Sequence, residues 1–242
     1  MMIETCGELF DPAIADLLDA LEGVTRTAWK PVTLDGDGPA DASKFGGIAA
    51  VVAGESWPAC GRCGEPMQLF VQLSSSALPV APPFAGLLQL FYCTSGCEEA
   101  CDAWAPHAPS TSVRVLPPGS PLQPAARAPI PGAFPARRIV SWIAVEDHPH
   151  WAELERAGVP GHLREDVSEP YSPVEGDKYL GWPAWVQRVE YPSCRTCGAE
   201  MTLLFQLASE EHVPYTFGDA GTGYVTICPG HPHEVAFSWN CL

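Results

Sequence analysis

The two motifs with the clearest chemistry are Cys60-Gly-Arg-Cys63-Gly and Cys194-Arg-Thr-Cys197-Gly. A two-residue spacer lets a tight turn bring two thiolates onto one ion at about 2.3 Å, and the following glycine lets backbone amides turn toward the sulfurs. A redox disulfide has the same spacing, so the assignment depends on a second donor pair. Each motif has one downstream, Cys93-Thr-Ser-Gly-Cys97 for the first and Cys228-Pro-Gly-His231 for the second. The spacing therefore predicts two metal sites, Cys60/Cys63/Cys93/Cys97 and Cys194/Cys197/Cys228/His231. Cys101 competes with Cys97 for the fourth position, and His233 competes with His231. Replacing one cysteine by histidine keeps a soft tetrahedral set, which suits zinc and disfavours an iron–sulfur cluster. Two zinc ions per chain are expected. Four protein donors close each set, as in structural sites; a catalytic zinc keeps a position open for water. Arg62 and Arg195, inside the knuckles, are placed to offset surplus thiolate charge. Cys6 and Cys241 have no counterparts and read as ordinary thiols.

No other constellation points to catalysis. The chain lacks G-x-S-x-G, a phosphate loop, H-E-x-x-H and G-x-G-x-x-G before a helix. It is expected not to be an enzyme. Gln72 and Gln206 sit at matching points of apolar runs (LFVQL and LLFQL). A buried glutamine must find partners, and two kinds are open to it: nearby backbone groups or an incoming peptide. Trp182 and Trp185, in GWPAW, belong to an aromatic concentration that is either core or a peptide anchor. These four residues are the expected partner contacts.

The elements around the motifs repeat. The stretch from Lys44 to Leu73 aligns without a gap on that from Lys178 to Leu207 at an offset of 134, and beyond a loop Gly86, Cys93 and Trp104 match Gly221, Cys228 and Trp239 at an offset of 135. This reads as a duplication, with the halves expected to superpose about an approximate twofold axis. The runs at 67–73, 87–93, 201–207 and 224–228 are short, rich in β-formers and bounded by Gly, Pro and Ser, and they read as strands. The segments around Trp29 and Trp142 read as a first strand for each repeat. Helices are expected at 11–22, with an Asp cap and Pro12 in the first turn, and at 149–157 before Gly158. Residues 105–136 are proline-rich and read as an extended connector, with 112–116 open to being a short closing strand. The expected organisation is a first repeat with its N-terminal helix over 1–104, the connector over 105–136 and a second repeat over 137–242. The fold class is α+β, mainly β, with two pseudo-symmetric β-rich repeats, each carrying a structural zinc knuckle.

Composition limits the function. The chain is 46% apolar and 17% charged, as globular chains are. Its net charge of −16, shared by both halves, repels nucleic acid and anionic membranes and attracts basic proteins or peptides. No apolar run approaches a membrane span and no secretory signal is evident, so the expected compartment is the cytoplasm. Clustered cysteines in such a reducing compartment point to metal.

The run Ser43-Lys44-Phe45-Gly46-Gly47, then Trp57-Pro58, the Cys60/Cys63 knuckle, Leu69-Phe70-Val71-Gln72-Leu73 and Gly86-Leu87-Leu88-Gln89-Leu90-Phe91, resembles the bacterial YwqG-like family. That resemblance implies a β-rich duplicated fold without an established role. With its cysteines the chain also resembles the eukaryotic programmed-cell-death zinc proteins, which implies two similar halves and a chaperone-like escort of a small-subunit ribosomal protein. The chain departs from the pattern at Ile48, where the family usually has proline, while Pro183 keeps it, and it lacks the additional cysteine-rich insertion of many eukaryotic relatives. The leading functional reading is a zinc-stabilised protein-binding module, an escort or inhibitor of a basic protein. Nucleic-acid binding through the knuckles and a metallohydrolase with an open zinc site are the competing readings. The first lacks a basic face and the second an open ligand set.

Overall fold

A computed structural model describes residues 16, 19–97, 102–125, 130, 132–164 and 172–242. Ten of its strands form one antiparallel sheet. At its centre are two long strands, β1 (Arg26–Asp35) and β8 (Arg137–Asp147), paired along their whole length with a bulge after Val32. These are the segments around Trp29 and Trp142. Beyond β8 lie β2 (Lys44–Phe45), β4 (Gln68–Ser74), β5 (Leu87–Tyr92) and β6 (Thr111–Leu116). Beyond β1 lie β9 (Lys178–Leu180), β10 (Thr202–Ala208), β11 (Thr222–Cys228) and β12 (His231–Asn240). The outermost strands, β6 and β12, come back toward each other. Trp239 Nε1 donates to the Tyr92 hydroxyl at 3.0 Å, and the Trp239 amide to the Trp104 carbonyl at 3.1 Å, so the sheet is nearly closed. A separate two-stranded sheet pairs β3 (Ala50–Val52) with β7 (Leu122–Pro124).

The four runs of β-formers became β4, β5, β10 and β11. Their residues bury both faces, which is why they read as unbroken apolar runs rather than alternating ones. One core serves both halves: Phe45, Phe70, Tyr92, Tyr179, Phe205, Phe217 and Phe237 pack in a single cluster. Phe45 meets Phe205 at 5.9 Å, and Tyr92 meets Phe237 at 5.8 Å.

Two expectations came out differently, and a third lies mostly outside the described residues. Residues 105–136 are only partly a connector: they supply β6, where 112–116 was open to being a closing strand, and β7, which was not expected. The helix at 149–157 is a 3-10 turn, Trp151–Glu153, capped by His150, followed by a single α turn, Leu154–Ala157. That turn ends at Gly158 in the left-handed region, where glycine carries no Cβ penalty. Of the helix expected at 11–22, residues 16 and 19–22 are helical, and the rest lies outside the described residues. Among the described residues no helix is long and apolar enough to cross a membrane.

Two ion pairs, one half-buried and one fully buried, hold the short strands in place. Asp37 Oδ1 accepts from Lys44 Nζ at 2.9 Å and from the Ile48 amide at 2.7 Å. Asp147 Oδ2 accepts from Lys178 Nζ and from the Trp182 amide, each at 2.8 Å, and its Oδ1 accepts from the Val174 amide at 2.7 Å. The carboxylates approach the chain at Gly47 and Gly181, both at positive φ. A Cβ at either would lie 2.3 Å from Asp37 Oδ1 or 2.1 Å from Asp147 Oδ2, so only glycine fits.

Candidate metal centres

Each Cys-x-x-Cys loop is closed by its own backbone. In the first, the Cys60 amide donates to the Glu65 carbonyl at 2.8 Å, the Gly64 amide to the Cys60 carbonyl at 2.9 Å and the Met67 amide to the Pro58 carbonyl at 3.0 Å. The second repeats the pattern with Cys194 to Ala199, Gly198 to Cys194 and Met201 to Pro192, all at 2.8 Å. Gly64 and Gly198 both lie at positive φ, which reverses the chain just past the second thiol. Three of the four remaining donors come from strand ends, and Cys97 from the loop after β5. Cys93 follows β5, Cys228 closes β11 and His231 opens β12.

The predicted donors converge in both places. Cys60 Sγ lies 3.7 Å from Cys97 Sγ, Cys63 Sγ 3.7 Å from Cys93 Sγ, and Cys93 Sγ 3.5 Å from Cys97 Sγ. In the second cluster Cys197 and Cys228 sulfurs are 3.8 Å apart, and His231 Nδ1 lies 3.7 Å from Cys228 Sγ and 3.9 Å from Cys194 Sγ. A tetrahedron with bonds of about 2.3 Å has sulfurs about 3.8 Å apart. In each cluster all four donor atoms lie within 4.8 Å of one another, and none of the seven cysteines is in a disulfide. Both clusters can therefore hold a metal ion. His233 is exposed and outside the second cluster, its ring 6.0 Å from that of His231. Cys101 and Cys6 lie outside the described residues.

The electrostatics explain why such a cluster suits a cation. The Ser95 hydroxyl and the Glu65 amide hold the Cys63 thiol down at about 6, while burial and the neighbouring thiols push Cys97 well above the ordinary range. Without a cation the four cannot all ionise together. A bound ion supplies the positive charge that lets the rest do so. Arg195 is not spent on the sulfurs, because its guanidinium lies against Glu234 Oε2 at 3.4 Å.

The four expected partner contacts are placed differently from expectation. Gln72 and Gln206 are fully buried and lie on β4 and β10, with four strands between them along the sheet. Gln72 accepts from the Ala50 amide at 3.0 Å and donates to the Ala40 and Ala42 carbonyls, each at 2.8 Å. Gln206 accepts from the Ala184 amide and donates to the Gly176 carbonyl, each at 2.8 Å. Trp182 lies under the Arg26 guanidinium at 3.3 Å and donates to the Val24 carbonyl, and Trp185 packs on Tyr224 at 4.5 Å. The glutamines satisfy backbone groups and the tryptophans pack inward; Gln206 and Trp185 also line one groove, which Gln72 and Trp182 do not reach, so the four do not form a joint surface. The physical reason is burial: an amide among strands goes to the nearest unpaired backbone groups.

A third group, Asp177, Glu211 and His212, was not anticipated, because the histidine reads as a loop residue. Its polar atoms converge within 4.8 Å. They are already used: His212 Nδ1 lies 2.7 Å from Asp177 Oδ2, Asp177 Oδ1 accepts from the Ala208 amide, and Glu211 accepts from the Asp177 amide and from Lys30. His212 also stacks on Phe45, its ring centre 4.5 Å away. This network ties the second half to the first.

Fold and sites together define a mainly-β protein, built on a nearly closed ten-stranded sheet, with two four-donor clusters able to hold metal. Residues 43–241 match the model of a domain of unknown function, DUF1963, and the chain belongs to that family. It is also similar to the uncharacterised protein YpfL of Salmonella typhimurium, 33% identical over 96 residues, which is 38% of this chain and 22% of that relative. The similarity thus spans about a fifth of the relative's length.

Proposed function

We propose that each cluster binds one zinc ion as a structural site, and that the chain is a protein-binding module for basic polypeptides rather than an enzyme. The observation that carries the metal reading is the closed set of four soft donors at tetrahedral spacing in both clusters. Among the described residues neither set includes a carboxylate, the donor that calcium or magnesium would need. A site closed by four side chains has no position for substrate, so the ion serves the fold.

The binding reading rests on charge. At −16 the chain draws basic partners and repels polyphosphate. Three further readings belong with this one. The halves are pseudo-symmetric repeats, a reading supported by the strand order, which runs outward from the β1–β8 pair through matching strands on both sides. The chain works in the cytoplasm, where its thiols stay reduced. The resemblance of its sequence to the programmed-cell-death zinc proteins points to an escort role.

The test is metal content by mass spectrometry on protein purified under reducing conditions, followed by affinity capture from native extract at graded salt. About two zinc ions per chain are expected, falling to about one in Cys60→Ser or in Cys194→Ser. The captured partners should be basic and released by salt. Metal-free protein would sink the zinc reading, and tight binding of RNA at physiological salt would sink the partner reading.

A further inference from the structure

The two halves share a design but differ in what lies across it. In the first half, β3 pairs antiparallel with β7, Val52 opposite Leu122 and Ala50 opposite Pro124. Leu122 packs with Ala50, Leu87 and Leu116. Strand register identifies the second-half counterparts. Ala184 donates to Gln206 as Ala50 does to Gln72, and Thr222 faces Ala208 as Leu87 faces Ser74. Val186 then corresponds to Val52. Among the described residues no strand pairs with 184–186. Beside that segment runs a groove of about 700 Å³, bounded by Ala184, Val186, Gln206, Ala208 and Thr222. This volume is typical of ligand clefts.

The rim of the groove indicates what would fit. It carries Glu175 and Glu210, both exposed, and no lysine or arginine among its lining residues. It also carries Trp151, which is 71% exposed, an unusual state for so large an apolar ring. Ala184 bonds its amide and carbonyl inward to Gln206 and Tyr224, as Ala50 does to Gln72 and Gln89 beneath β7. A segment held this way, next to an aromatic and two carboxylates, suits an added strand from a cationic chain.

We propose that this groove binds an extended basic polypeptide segment as an antiparallel strand along 184–186. An aliphatic side chain would take the place corresponding to Leu122, and lysine or arginine would lie beside Glu175 and Glu210. The inference rests on the protein-binding reading above and gives it a location. The first half supplies the internal precedent, an extended leucine- and proline-bearing strand across the same framework.

The probe is a capped synthetic peptide with the sequence of residues 120–125 flanked by two lysines on each side, titrated into the isotope-labelled full chain. Saturable binding is expected, with amide-exchange protection confined to 184–186 and the adjoining ends of β10 and β11. Trp151→Ala should weaken it about tenfold. The double reversal Glu175→Lys/Glu210→Lys should weaken it as much and flatten its salt dependence. These positions are exposed, and circular dichroism checks that each variant is folded. A peptide with the central leucine replaced by aspartate should not bind. No binding at millimolar peptide, binding unchanged by both variants, or self-association of the chain through the groove would each overturn the proposal. Polylysine measured in parallel separates the two levels. If it binds wild type and both variants alike, the groove is wrong and the basic-partner reading stands; if neither probe binds wild type, both fail.

Discussion

Lys178 and Lys44 occupy matching places in the sheet, yet their surroundings differ in a way that sets different stabilities. Lys178 and Asp147 are both fully buried, and burial pulls the Lys178 ammonium down to about 8 against the attraction of Asp147. Lys44 is equally buried, but the side chain of its partner Asp37 is 39% exposed. Lys178→Met leaves a carboxylate stranded in the core with only the Trp182 and Val174 amides to hold it, so we expect a loss of about 3–5 kcal/mol. Lys44→Met leaves Asp37 within reach of water, and the loss should be nearer 1 kcal/mol. Urea denaturation of the two single variants checks this, and equal losses would show that Asp147 is less isolated than its burial implies. The lysines were visible in the sequence as a matched pair. Their partners were not, because Asp37 and Asp147 reach them across strands from chain positions that differ in spacing.

At the level of elements, each knuckle is a loop of few backbone bonds fixed to the end of a well-paired strand. The loop at 192–201 relies on three such bonds, and that at 58–67 on three of its own plus one from the Gly61 amide to the Pro109 carbonyl, whereas β1 and β8 pair over their full length. On the zinc reading the ions contribute mainly to the loops. Chelation under reducing conditions should therefore raise amide exchange first at 58–67 and 192–201, leaving β1 and β8 protected. Uniform loss of protection across the sheet would mean that the metal supports the whole fold. The same comparison shows which elements were legible. β4, β5, β10 and β11 declare themselves as apolar runs with turn residues at their ends. β7 sits among prolines and reads as linker, since its strand character comes from the Ala50–Val52 edge that it meets.

Over the whole molecule, one core joins strands from both halves, and the Asp177–His212 pair with Phe45 crosses between them. Neither half keeps its apolar faces covered alone. We expect a single cooperative unfolding transition, coincident by fluorescence and circular dichroism. Two resolved transitions would show that the halves fold as separate domains, as the boundaries at 104 and 137 suggest when only the sequence is considered.

From the sequence alone come the two sets of donors, the strands that carry them and the acidity, because metal ligation and strand formation depend on residue types at short spacing. Each pair of donors can be read without a structure, since knuckle and strand end are each local. The tertiary structure decided the rest. Whether Gln72, Gln206, Trp182 and Trp185 face a partner or the interior depends on which faces the sheet buries, and a sheet buried on both sides leaves no alternating pattern to read. The groove at 184–186 likewise exists only because β7 covers one half and, among the described residues, no strand covers the other. That difference arises between segments far apart in the chain, where local spacing carries no signal.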